Sequence, residues 1–128
     1  MTPLPPYADL LRLRLEERDG EPLWVMPFHD DVVGRPGFLH GGAIAGLLEI
    51  ASFAALQRAL GDHLAEMKPI TVTVDYMRAG NATETFAAGV VERLGARIAN
   101  VEAYAWQSER SAPIASARLN FLLKRGDQ

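Results

Sequence analysis

The sequence predicts an α+β domain in which an antiparallel strand meander wraps around one long central helix. Three stretches carry that expectation. From Gly42 to Leu60 the chain is almost wholly apolar, with Glu49 its single acid and Arg58 its first base. Ala, Leu and Ile dominate there, which favours helix, and apolar residues on every side call for cover all round. After Pro69 the period changes: Ile70, Val72, Val74 and Tyr76 alternate with Thr71, Thr73 and Asp75, the pattern of a half-buried strand. Two later strands present small residues on one face, Ala99, Val101, Ala103 and Ala105 in the first, Ala115 and Ala117 in the second. Small residues leave room for a close neighbour, and the apolar helix is the element that needs one.

The remaining elements follow in order. Residues 1–6 read as a flexible tail ending at Pro5-Pro6, and Tyr7 to Leu15 gives a weak helical or mixed signal. Asp19-Gly20 is a strong turn pair between residues 13–18 and the strand Pro22–Phe28, a hairpin. His29 to Gly37, with Asp30, Asp31, Gly34, Pro36 and Gly37, reads as a loop. Gly61-Asp62 stops the helix, Ala79-Gly80-Asn81 makes a turn, and Glu84 to Leu94 is a strand broken by Gly95. The last strand runs from Ile114 to Leu123. With no repeat or linker, residues 1–128 form one domain.

Composition narrows the function. The chain has 128 residues, 48% of them hydrophobic, with 13 Lys+Arg against 16 Asp+Glu for a net charge of −3. That balance disfavours disorder and a nucleic-acid surface, which needs a clustered basic excess. The absence of cysteine excludes disulfides, thiolate metal sites and a cysteine nucleophile, and fits a cytoplasmic protein. The N-terminus lacks the basic and apolar regions of a signal peptide. Phe38 to Gln57 is about long enough to span a bilayer, but it contains His40 and Glu49 and lacks basic flanks. A buried helix and no membrane is the expectation. No His-Glu-x-x-His spacing implies a metal, no P-loop or Gly-x-Gly-x-x-Gly implies a nucleotide, and no Gly-x-Ser-x-Gly elbow is present.

Chemistry concentrates in Leu39-His40-Gly41-Gly42-Ala43-Ile44-Ala45-Gly46-Leu47-Leu48-Glu49-Ile50-Ala51. Glu49 has no basic residue within four positions on either side, so local pairing cannot satisfy it. Three explanations stand open: a strand partner, an exposed helix edge, or a functional carboxylate in a cleft. His40-Gly41-Gly42 opens the helix, where the first N–H groups lack intrahelical partners and paired glycines let a ligand approach. The turn therefore reads either as an oxyanion site or as a tight loop-to-helix junction.

This constellation resembles the signature of hotdog-fold acyl-CoA thioesterases, most closely the branch of the phenylacetate-degradation and 4-hydroxybenzoyl-CoA types. Tyr76-Met77-Arg78-Ala79-Gly80 is similar to the family's turn after its first long strand, and the resemblance covers residues 24–123. It implies a hotdog fold and hydrolysis of an aryl- or medium-chain alkyl-CoA, coenzyme A being part of the substrate and no cofactor being needed. Glu49 would be the catalytic carboxylate, as general base or as nucleophile. The Gly41 N–H would stabilise the oxyanion beside Gly42, and His40 would orient the carbonyl or the helix turn. Family members commonly carry Asn or Gln where this chain has Gly34, and some use a strand hydroxyl, for which Thr71 is the candidate. Arg78, Arg93 and Arg97 are candidates for the phosphates of coenzyme A, and Trp24, Phe28, Phe53 and Trp106 for the acyl pocket.

Helix geometry adds a constraint. Eight residues separate Gly41 from Glu49, about 12 Å along the axis and roughly 80° around it. A carbonyl held by the Gly41 N–H is out of reach of Glu49 in the same chain, so a second copy must supply one of them. The family builds its sites between the two subunits of a dimer, often paired further into a dimer of dimers. Two other readings compete: a non-catalytic acyl-CoA-binding module, motivated by Gly34, and a hydratase, for which His29 lies at the wrong spacing from Glu49.

Overall fold

The computed structural model describes residues 4–61 and 65–125. A short helix α1 (Pro6–Leu10) precedes the hairpin β1 (Arg14–Arg18) and β2 (Glu21–Met26). The long helix α2 (Gly41–Leu60) follows, then β3 (Ala65–Tyr76), β4 (Thr85–Leu94), β5 (Ile98–Trp106) and β6 (Ala115–Arg125). The strands form one antiparallel sheet in the order β1-β2-β4-β5-β6-β3, with α2 lying on one face. This is the architecture that the helix and the strand rhythm predict.

Local chemistry accounts for the junctions. Asp19 and Gly20 both take left-handed φ, 53° and 79°, the turn that closes a two-residue hairpin. Pro69 cannot donate to the sheet, and the register of β3 on β6 slips between Pro69 and Thr71. α2 ends at Gly61; Asp62, the other half of the expected stop, lies outside the described residues.

Small residues set the helix-to-sheet distance. A β-carbon on Gly89 of β4 would lie 2.6 Å from the Ala51 carbonyl oxygen of α2. Ala99, Ala103, Ala105, Ala115 and Ala117 floor the same groove and are buried. Leu47, Leu48 and Leu56 fill it from the helix side and are fully buried. Each such leucine stabilises the fold by about 1.5–3 kcal/mol. α2 has the length and apolarity of a membrane span, yet more than half of that window is buried inside the protein.

Three expectations need correction. The helix is not covered all round: Gly42 and Glu49 are exposed and Ala45 only half-buried, and their spacing of three and four residues makes them one open stripe. β3 is not half-buried either. It is the outermost strand, so Ile70, Val72 and Tyr76 overhang the helix with 56%, 44% and 53% of their surface exposed. Of the six residues read as a tail, Leu4 packs against the core and Pro6 starts α1.

Candidate functional site

The start of α2 is fixed by two side chains acting on one peptide. His40 is extended (φ −72°, ψ 134°), and its Nδ1 accepts the Gly42 N–H at 2.9 Å. An accepting Nδ1 places the ring proton on Nε2. A β-carbon at 42 would lie 2.9 Å from that same Nδ1, so a side chain there would push the His40 ring off its cap. From β3, the Tyr76 hydroxyl donates to the Gly41 carbonyl at 2.8 Å. The His40 carbonyl accepts the Ala43 and Ile44 N–H groups, and the His40 N–H donates to Val32 O at 2.8 Å. The Gly41 N–H has no partner among the described residues. It is the first-turn donor left available, as the oxyanion reading of the sequence requires.

That donor opens onto a cleft of about 600 Å³ between the loop 34–41 and the turn 76–80. Its lining includes Arg35, Phe38, His40, Gly41, Tyr76 and Arg78. The two walls brace each other: Leu39 N–H donates to Gly80 O at 3.0 Å, and a β-carbon on Gly80 would lie 2.7 Å from Leu39 Cδ1. Ile114 O accepts the Met77 and Arg78 N–H groups, which ties the second wall to the start of β6. Gln107 clamps the chain beyond it, donating to Asn81 O and Thr85 Oγ1 and accepting the Asn81 N–H.

Gly34 lines this cleft as bare backbone. A β-carbon there would lie 3.0 Å from His40 Cα, so an Asn or Gln would displace the His40 backbone. Arg35 is a residue the sequence reading missed. Its guanidinium lies 4.8 Å from the Phe38 ring centroid, at the mouth of the cleft with Arg78. Neither arginine has a carboxylate partner among the described residues. The signal available in the sequence was a cation inside the glycine-rich loop leading to His40-Gly41-Gly42.

Other predicted site residues fall elsewhere. Glu49 is exposed, forms no hydrogen bond or ion pair with a described residue, and does not line the cleft of its own chain. Of the three explanations the sequence left open, a strand partner is not found among the described residues. Thr71 pairs with Asn120 on the face of the sheet away from α2, so its hydroxyl does not reach the cleft of its own chain. Arg93 pairs with Asn100, which in turn faces Asn120, about 16 Å along the strands from Tyr76. Arg97 lies farther still, since its carbonyl accepts the N–H of Leu123, the partner of Met67. Neither joins Arg78 within one chain.

Among the aromatics, Trp24, Phe28 and Phe53, the last on α2 itself, are partly buried and pack against the main core. Trp106 does not join them: strand alternation turns it to the outer face, stacked on Phe86 beside Leu23 and Ala88. His29 is a joint between elements, with Nδ1 accepting the Asp31 N–H and Nε2 3.0 Å from Leu11 O. It lies outside the cleft, which removes the histidine that a hydratase reading would use. Among the described residues no group of three His, Asp or Glu side chains is placed to hold a metal ion. Perturbed titrations also sit away from the cleft. The Arg110 guanidinium holds Glu21 below the usual carboxylate range, and the Glu102 carboxylate pushes the Tyr104 phenol up.

Known proteins share this fold. The Thioesterase superfamily profile matches residues 36–114, which holds both the His40-Gly41-Gly42 junction and the Tyr76–Gly80 turn. A Chromobacterium violaceum protein of known structure is 34% identical over 95% of this chain and 85% of its own, with a TM-score of 0.71. A Bacillus halodurans protein crystallised with CoA is 22% identical, covering 94% of this chain and 80% of its own at a TM-score of 0.83. A phenylacetic acid degradation-related protein from Ralstonia eutropha is 18% identical, covering 94% and 92% at a TM-score of 0.80. The last two likenesses show the fold. Among curated proteins no sequence matches this chain. The profile match spans more than half the chain, and with it the chain belongs to the thioesterase superfamily and has the hotdog fold.

Proposed function

We propose that this protein hydrolyses acyl-CoA thioesters, aryl or medium-chain alkyl, to the free acid and coenzyme A, at sites shared between two subunits of a homodimer. One observation carries the reading. The Gly41 N–H is an available donor at the head of α2, and Glu49 is an unpartnered carboxylate eight residues along the same helix, out of its reach.

The chemistry follows from those two groups. The thioester carbonyl sits against the Gly41 N–H, which stabilises the oxyanion as the carbon becomes tetrahedral. The Glu49 carboxylate of a second chain approaches from the other side. Acting as base, it takes a proton from water as the water oxygen bonds to the carbon; the C–S bond then breaks and the proton passes to the departing thiolate. Acting as nucleophile, its oxygen bonds to the carbon and thiolate leaves; water then attacks the Glu49 carbonyl carbon of the mixed anhydride, which releases the acid with the original Glu49 oxygen and restores the carboxylate with an oxygen from water. Single turnover in ¹⁸O-labelled water separates the two, because only the second route labels the Glu49 side chain.

The surface supports a second copy. β3 is a free edge that exposes Ile70, Val72 and Tyr76 beside its Lys68–Glu66 ion pair, whereas the opposite edge, β1, carries the ion pairs of Arg14 and Arg18 with Glu16 and one exposed apolar residue, Leu15. Exposed apolar side chains on a free edge favour pairing with another copy. A homodimer across β3 extends the sheet and brings the partner's open helix stripe towards the cleft; a dimer of dimers is the larger assembly we expect. Arg35 and Arg78 at the cleft mouth suit the phosphates of coenzyme A. A cytoplasmic location completes the reading.

Release of free thiol from a panel of aryl- and alkyl-CoA esters tests the proposal. Wild type should turn over, and Glu49→Gln should lose about 100-fold or more. Full turnover by Glu49→Gln contradicts its role. Tight binding of intact acyl-CoA without turnover makes the protein a binding module, the reading that the bare backbone at Gly34 favours.

A further inference from the structure

The hydroxyl of Tyr76 is committed to a single acceptor that is not substrate. It donates to the Gly41 carbonyl at 2.8 Å across 35 residues of sequence, linking the end of β3 to the head of α2. The ring also lies against the glycine, where a β-carbon on Gly41 would be 3.4 Å from the hydroxyl oxygen. The same peptide unit is held at its other end, because the Gly42 N–H donates to His40 Nδ1. A peptide is planar, so fixing its oxygen and its nitrogen fixes its orientation. The neighbouring His40–Gly41 peptide is anchored by its carbonyl, which accepts the Ala43 and Ile44 N–H groups. Gly41 lines the cleft, and its N–H is the first-turn donor without a partner among the described residues.

We infer that Tyr76 is a positioning residue for the oxyanion donor: by clamping the Gly41 carbonyl it holds the peptide that follows Gly41, and through the Gly41 backbone it steadies the preceding peptide, which carries the Gly41 N–H. This rests on the hydrolase reading for its catalytic consequence, but not for its structural one. A first helical turn with glycines at both of its opening positions frays readily, because glycine gives up the most backbone freedom on ordering. One phenol bond restrains this one. A slightly misaimed donor weakens oxyanion binding in the transition state while leaving the contacts that bind the coenzyme A arm in place. The loss therefore falls on kcat and not on KM.

Tyr76→Phe removes only the hydroxyl and keeps the ring against Gly41. The expected result is a fall in kcat of about 5- to 20-fold with KM within about twofold, smaller than loss of the donor itself. Tyr104→Phe deletes another phenol bonded on the outer face, to Glu102, and should leave kcat unchanged. Amide hydrogen exchange on ¹⁵N-labelled protein gives a second readout that needs no turnover: the Gly42 N–H should exchange faster in Tyr76→Phe, with exchange in β5 unaltered. Unchanged kcat and unchanged Gly42 exchange overturn the assignment. Faster Gly42 exchange with unchanged kcat overturns its catalytic half. A wild type without thioesterase activity sinks the hydrolase reading instead, and the exchange result then decides the structural claim alone.

Discussion

The His40 imidazole caps its own helix by accepting the Gly42 N–H at 2.9 Å, and the ring fills the space that a side chain at position 42 would take. Its contribution to the site is therefore to hold the first turn. His40→Ala should cost about 1 kcal/mol of stability, and His40→Asn, which keeps an accepting side chain, should cost less. Denaturant unfolding of both variants checks this. If His40→Asn also retains turnover, the ring acts through the turn and not on substrate.

Arg35 and Arg78 share the mouth of the cleft, while Arg93 and Arg97 lie far along the strands. Replacing either Arg35 or Arg78 by Ala should raise KM for acyl-CoA several-fold with little change in kcat, an effect that weakens as salt rises. Acyl-pantetheine, which lacks the nucleotide, should not distinguish the variants from wild type. Steady-state kinetics with both substrates reads the difference directly.

Gly89 is the position where helix and sheet are closest. Gly89→Ala puts a methyl 2.6 Å from the Ala51 carbonyl oxygen and 2.9 Å from the Ala55 methyl, so α2 must lift. The expected cost is about 1–3 kcal/mol, measured by denaturant unfolding. Gly41→Ala places its methyl at an ordinary distance of 3.4 Å from the Tyr76 hydroxyl and should cost much less.

Arg110 grips Glu21 with both nitrogens, at 2.5 and 2.7 Å, and covers the Trp106 ring at 4.5 Å. The Arg110 hydrogen bond holds the Glu21 carboxyl below the usual carboxylate range. A depressed carboxylate stabilises the fold above its unfolded pKa, and that contribution vanishes as pH falls through the folded value. Wild type should thus be more stable than Glu21→Gln at neutral pH, by under about 1 kcal/mol for so exposed a pair, and the gap should close as pH falls through the depressed folded value. Thermal melts at pH 7 and pH 3.5 check the sign.

Most of the fold was legible because its periods are strong. The alternation of Ala99 to Ala105 and the unbroken apolar run of α2 each point to one element, and the small-residue faces point to their contact. The site was legible at the head of α2, where glycines and a capping histidine are local chemistry. What escaped depends on register and loop path. Thr71 and Trp106 turned to the outer face because one residue decides which way a strand side chain points, and Tyr76 found Gly41 across 35 residues of chain. The incomplete cover of β3 and of the Glu49 stripe has the same root: composition says that a surface is apolar, not which surface meets another copy.

The account's central claim is that each site joins Gly41 of one chain to Glu49 of another. Gly41→Pro deletes the donor while suiting the first helical position, and Glu49→Gln deletes the carboxylate; each variant alone should be inactive. Refolded together in equal amounts, they should recover about a quarter of wild-type turnover per chain, since half of the dimers form mixed pairs with one intact site. No recovery, from a mixture shown to contain mixed dimers, would mean that both groups act within one chain and would contradict the shared site.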